Sequence, residues 1–360
     1  MVDPARVERE LAALWREAAE ARALAGQGRM HNRVLLHTLV AHTDDPAAAQ
    51  QARDAALALS PRQPARTIVL EALPNAEPAG LAATVALHHA PARNGDEPVC
   101  GELVTLTARG AEAVGRLPGA VLPLLLTNLP SFLWWSGSSP FRHPALPALA
   151  PVLDRLIVDS LNFASPQQDW AELDRAVDDP HFVPIVSDLA WARLAPWRYH
   201  TAQIFDGAAT LPFLRRLTTI TVRYHSGAPV LAWLYAGWLA SRLAWAAAER
   251  DVQFLRFAGG QQVRFESLPR QSDLGAGFLA GVRLETSDGA LFEIARHGAA
   301  CAVTQRFPGG MQTERVVPLR PETIVEWLGH ELGRLAPVPT YMAALHLLAA
   351  QSETAADFIG

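Results

Sequence analysis

The spacing of apolar and polar positions changes several times along the chain, and each change marks an element. In residues 4–25 apolar side chains fall at helical spacing on one stripe: Val7, Leu11, Leu14, Ala18 and Ala21. Asp3 is placed to cap this helix and Pro4 suits its first turn. Residues 34–40 read as a strand, and Thr43 to Pro46 opens an alanine-rich helix that ends near Ser60. Further strands are predicted at 67–71, 81–89 and 102–107, with a short helix after Gly110. The densest apolar stretch is 121–163, which contains the strand-like run DRLIVDS. Helices are expected at 169–177 and 205–217. Strands alternating with helices predict an α/β layer with a partly parallel sheet.

Beyond residue 217 the pattern differs. A strand, TTITVRYHS, leads into a long apolar helix at 229–248. Residues 252–319 then read as short strands with turns at Ser287-Asp288-Gly289, His297-Gly298 and Pro308-Gly309-Gly310, an antiparallel meander. Helices at 321–335 and 339–351 close the chain. The expected fold is therefore α/β. Residues 1–217 form an N-terminal α/β domain with a mixed, partly parallel sheet. Residues 218–360 form a smaller α+β domain with the meander.

Composition narrows the chemistry. Half of the 360 residues are apolar and 19% are charged, which excludes a largely disordered chain. The net charge of −5 argues against sequence-independent nucleic-acid binding, which needs a basic footprint. There is no lysine, so all 31 basic residues are arginine. That excludes a lysine Schiff base, pyridoxal-phosphate attachment and a phosphate-loop lysine. Cys100 and Cys301 form neither a disulfide framework nor a zinc motif and are expected as buried or semi-buried thiols in a reducing compartment. The first twenty residues lack a charged-then-apolar signal region, so a cytoplasmic protein is expected. Residues 229–248 have the length of a membrane span, but Arg242 and the flanking strands favour a buried core helix.

Catalytic motifs are absent. No GxGxxG follows a strand. Ser136-Gly137-Ser138-Ser139 has the wrong spacing for a nucleophile elbow. His330-Glu331 fails the metalloprotease pattern because Arg334 stands where the second histidine belongs. No cofactor and no metal are expected. Asp154 and Asp159 bracket a strand, and Asp159 at its C-terminal end is a site candidate. Ten tryptophans against four tyrosines anchor interfaces as readily as cores; core packing explains most of them, and an interface is the other reading. Trp134 and Trp135 are the leading pair, because adjacent strand side chains diverge and are hard to bury in one core. Arg193 and Arg198 flank Trp197 and suit aromatic stacking or acidic partners.

The strings PLLLTNLPSFLWWSGSSP, DRLIVDSLNF, SDLAWARLAPWRYHTAQIFD and GWLASRLAW, with PARTIVLE and CGELVTLTARG upstream, resemble the OpcA family, the glucose-6-phosphate dehydrogenase assembly or activator proteins. The resemblance spans essentially the full chain. It implies a non-catalytic partner that binds glucose-6-phosphate dehydrogenase and promotes its assembly and activity in the oxidative pentose phosphate pathway. It also implies an α/β domain followed by a smaller C-terminal one. Where the family usually has Asp-Leu-Pro before the double tryptophan, this chain has Asn128-Leu129-Pro130. The candidate partner-binding residues are Trp134, Trp135, Arg155, Asp159, Trp191, Arg193, Trp197 and Arg198. The alternative reading is a sugar-phosphate sensor or enzyme. There Arg155 or Arg198 would grip the phosphate, and Asp159 would act as a base. A membrane-surface protein using residues 229–248 is the third reading.

Overall fold

The computed structural model describes residues 3–24, 34–89, 100–225, 227–250, 253–268, 278–319, 322–334 and 336–356. In chain order the first half runs α1 (Pro4–Leu24), β1 (His37–Thr43), α2 (Pro46–Leu59), β2 (Ala65–Leu73), β3 (Gly80–His89) and β4 (Cys100–Arg109). It continues α3 (Ala111–Gly115), α4 (Leu117–Val121), β5 (Ser131–Ser136), α5 (Ala145–Leu149), β6 (Arg155–Val158), α6 (Pro166–Asp178) and β7 (Ile185–Asp188). The second half runs α7 (Leu189–Arg193), α8 (Ala195–Phe205), α9 (Leu211–Leu214), β8 (Leu217–His225), α10 (Pro229–Arg242), β9 (Ala247–Arg250) and β10 (Phe254–Phe257). Then come β11 (Gln262–Leu268), β12 (Leu279–Thr286), β13 (Leu291–His297), β14 (Ala300–Arg306), β15 (Gln312–Pro318), α11 (Ile324–Leu332) and α12 (Pro339–Ala356).

These elements form two compact units, each assembled from separate stretches of chain. The first comprises residues 1–162, 177–187 and 324–337, the second 163–176, 188–323 and 338–360. Residue 217, where the sequence pattern changes, is the first residue of β8.

The first unit is a doubly covered α/β layer. Its seven-stranded sheet has the order β3-β4-β2-β1-β5-β6-β7. β1 is parallel to both β2 and β5, β4 is parallel to β2, and β6 is parallel to β5. Only the outer β3–β4 pairing is antiparallel among the strand pairs whose register is known. β1 is buried along its whole length, as a central strand covered on both faces must be. Helix α2 packs on β1 and β2, and α11, from near the end of the chain, packs on α2. Two buried arginines tie the remote pieces in. Arg66 on β2 holds Glu102 on β4 at 2.7 Å and Glu8 on α1 at 2.5 Å, and Trp15 Nε1 donates to Glu102 at 2.8 Å. Arg155 on β6 donates to the Ser187 hydroxyl and to the backbone carbonyl of Arg334.

The second unit is built on an eight-stranded sheet in the order β15-β14-β13-β12-β8-β11-β10-β9. β12 to β15 form the expected antiparallel meander, with β12 beside β8, while β11 lies parallel to β8. Helix α10 packs on β8, β11 and α12. It is buried from Val230 through Ala240, so its membrane-like hydropathy is that of a helix enclosed on every side. Among the described residues no helix is long and apolar enough to cross a membrane.

Several boundaries differ from the sequence reading. The first strand is His37–Thr43 rather than 34–40. The helix expected at 205–217 is instead α8, opened by Pro196 in its first turn, and only the short α9 falls within that range. α10 stops at Arg242, and Ala244 in the left-handed region (φ 53°) turns the chain into β9. Residues 25, 226, 252, 269–277, 321 and 335 of the expected elements lie outside the described residues, as does the Cys100 side chain. Cys301 is fully buried on β14, and burial pushes its thiol up to about 11.

Candidate functional site

The strand order places a crevice at one point of the first unit. From β1 the chain passes through α2 to β2 on one side, and β5 later joins β1 on the other. Open parallel sheets bind ligands where the order reverses in this way, outside the carboxyl ends of the strands. Here the lining comes from the turn after β1, Asp44 and Asp45, and from the loop after β5, Ser136 to Ser139. It has two connected parts. An open crevice of about 520 Å³ is lined by Asp44, Asp45, Gln51, Ser136, Ser138 and Asn162 among others. A more enclosed pocket of about 160 Å³ shares Asp44 and Ser136 to Ser138 with it. That pocket is walled by His42, Trp135, His143, Ala72, Pro74 and Val114.

Register explains the aromatic wall. His42 on β1 lies directly opposite Trp135 on β5, so both side chains leave the same face of the sheet. Their rings stack at 3.7 Å between centroids with planes 6° apart. His143 stands edge-on to both, at 4.8 and 4.9 Å. Trp135 Nε1 donates to the Ser138 carbonyl at 2.8 Å and so fixes the loop. Burial, aided by His143, pushes His42 down to about 3, and burial lowers His143 against the opposing pull of Asp44. Both imidazoles are therefore neutral at pH 7. His143 Nδ1 accepts from the Ala145 N–H at 3.2 Å, which leaves the ring proton on Nε2.

The fold position is one where dinucleotides bind, but the residues do not fit a dinucleotide. The turn from β1 into α2 reads Thr43-Asp44-Asp45-Pro46 and has no glycine to let a pyrophosphate approach the backbone. Asp45 caps α2 itself, accepting from the Ala47 N–H at 3.0 Å. Two carboxylates thus stand where a phosphate would need positive charge, and among the described residues no arginine lines either part.

Of the eight candidate residues, the crevice takes one, Trp135. Trp134 and Trp135 are 1% and 3% exposed. Adjacent strand side chains are hard to bury in one core, and both are buried here because the sheet is covered on both faces and each tryptophan enters a different layer. Arg155, 1% exposed, is occupied by Ser187, the Arg334 and Ala336 carbonyls and Glu331, so it is not placed to grip a phosphate. Asp159 is buried just beyond β6, accepting from the Leu161 N–H at 3.4 Å. Trp191 and Trp197 are buried in the second unit. Arg198 stacks on Trp191 at 3.7 Å and donates to its carbonyl at 2.7 Å, and Arg193 and Arg198 are half-buried. The sequence reading did not single out His42, Asp44, Ser139 or His143. Their one local signal was the helix start at Thr43 to Pro46; their convergence depends on strand order.

Asn128 occupies an exposed turn at φ 70°. Asparagine and aspartate both visit that left-handed region, so the departure from the family string leaves the turn intact.

Comparison with known proteins places the chain. Residues 56–175 match the family model described as glucose-6-phosphate dehydrogenase subunit N-terminal domain. Residues 184–345 match the corresponding C-terminal domain. A protein of Nostoc punctiforme, provisionally named OxPP cycle protein OpcA, is 38% identical over 147 residues, 41% of this chain and 31% of that one. One of the same provisional name from Synechococcus elongatus is 28% identical over 270 residues, 70% of this chain and 59% of its own. The matches thus span between a third and three fifths of these relatives' length. Glucose-6-phosphate 1-dehydrogenase of Mycobacterium avium shares the fold, with a TM-score of 0.52 at 10% identity over 90% of this chain and 92% of that one. With two consecutive domain models covering most of its length and curated relatives of the same kind, the chain belongs to the OpcA family.

Proposed function

We propose that this chain is a non-catalytic partner of glucose-6-phosphate dehydrogenase, promoting the enzyme's assembly and activity in the oxidative pentose phosphate pathway. The observation that carries this reading is the match of both halves to domains described as dehydrogenase subunit. The acidic, glycine-free turn at the switch point supports it, since a dehydrogenase needs that turn to hold its cofactor's phosphates. A partner raises activity by binding the assembled, substrate-competent form more tightly than the inactive one. The contact residues we favour are Arg193 and Arg198, beside Tyr199, which is 59% exposed. Trp191, on which Arg198 stacks, and Trp197, buried in the same unit, would shape such a surface from beneath. Size-exclusion chromatography with mass measurement on a mixture with the dehydrogenase of the same organism tests the binding. A co-eluting complex weakened by Arg193→Ala supports the reading, and independent elution at micromolar concentrations contradicts it.

A further inference from the structure

We propose that the pocket between the carboxyl ends of β1 and β5 binds an uncharged nucleoside, with its flat base in the enclosed aromatic part and its ribose hydroxyls at Asp44. The pocket holds buried polar atoms that the protein leaves without partners. His42 is 4% exposed, and among the described residues neither of its ring nitrogens has a hydrogen-bond partner on another residue. The Ser139 hydroxyl, on the same lining, is buried and equally unpartnered. Buried polar groups are almost always paired, so this constellation is built for something that enters. A neutral imidazole offers one donor and one acceptor, a hydroxyl offers both, and His143 Nε2–H adds a donor. That set complements the mixed donor and acceptor edge of a heteroaromatic base.

The remaining wall favours a flat apolar ring over a free sugar. Ala72, Pro74, Val114 and the Trp135 ring would leave most hydroxyls of a sugar unpaired. The diol fits the open part, where the exposed Asp44 carboxylate can accept from two adjacent hydroxyls, as an acidic residue does for a ribose in this fold class. Charge then sets specificity. Asp44 and Asp45 repel a phosphate, and neither imidazole is protonated to offset them. The geometry therefore selects the nucleoside against its nucleotide, the opposite of a dinucleotide site.

The test is calorimetric titration of the full chain with adenosine, AMP, adenine and ribose. It uses this chain alone, so its outcome is independent of the dehydrogenase reading. Saturable binding of adenosine, weaker binding of AMP and adenine, and none of ribose are expected. His42→Phe keeps an aromatic ring against Trp135 and removes the nitrogens, and should weaken adenosine about tenfold. Asp44→Asn lies on an exposed turn, so the fold should tolerate it, and it should narrow the gap between adenosine and AMP. No heat and no saturable shift with adenosine at millimolar concentration would overturn the proposal. So would AMP binding as tightly as adenosine, or Asp44→Asn leaving their ratio unchanged.

Discussion

Arg66 is 1% exposed and faces Glu102, which is wholly buried, and Glu8, which is 41% exposed at its side chain. The two carboxylates sit at similar distances from the same guanidinium but in different media. Removing the buried partner leaves the buried guanidinium with only the partly exposed Glu8 to balance it, at a cost of up to about 3–5 kcal/mol. Removing the partly exposed one costs about 0–1 kcal/mol. Glu102→Gln should therefore lower the urea midpoint severely and Glu8→Gln barely, and equal effects would show that the cluster is hydrated. His42 and His37 give a pH signature. Burial holds them at about 3 and about 4 in the fold, against about 6.5 unfolded. Between those values the unfolded chain binds protons that the fold refuses, so stability falls as pH drops below about 6.5. Each histidine steepens the slope by up to about 1.4 kcal/mol per pH unit. Urea midpoints from pH 7 to pH 5 should fall, and less steeply in His42→Phe; a parallel fall in both would place His42 in contact with water. None of these partnerships was visible in the sequence, because residues 66 and 102 meet through strand pairing and Glu8 reaches them from the packed helix α1.

At the scale of elements, what period and caps encode was legible and what packing encodes was not. The helix over Pro46–Leu59, its Asp45 cap and the strands β2, β3, β4 and β6 follow local patterns, as does the meander with its glycine turns. The helix α8 was placed ten residues late, since its apolar positions carry little amphipathic contrast and only Pro196 marks its start. The close approach of α10 and α12 also lies beyond local pattern. A Cβ on Gly237 would come 2.9 Å from Leu348 Cγ and 3.2 Å from the Ala344 carbonyl. Gly237→Ala gains about 1 kcal/mol of helix propensity and meets an overpacking cost of about 1–3 kcal/mol. The thermal midpoint should fall despite the better helix former. A rise would mean that the two helices part without cost.

For the whole molecule, sequence strings point to the OpcA family, and the fold shows where a dinucleotide fingerprint would lie. The α/β unit keeps the strand order and switch-point crevice of a dinucleotide-binding layer, but Asp44, Asp45 and Pro46 fill the turn that would hold phosphate. The location of that crevice follows from β5 joining β1 on the side opposite β2, a pairing between residues almost a hundred positions apart. The proposed partner role is tested by titrating this chain into the glucose-6-phosphate dehydrogenase of its own organism at low substrate. The enzyme's mass should be followed on the same samples. A saturable fall in KM or rise in rate should track a larger assembly, with this chain alone showing no turnover. Unchanged kinetics with an unchanged enzyme mass would contradict it.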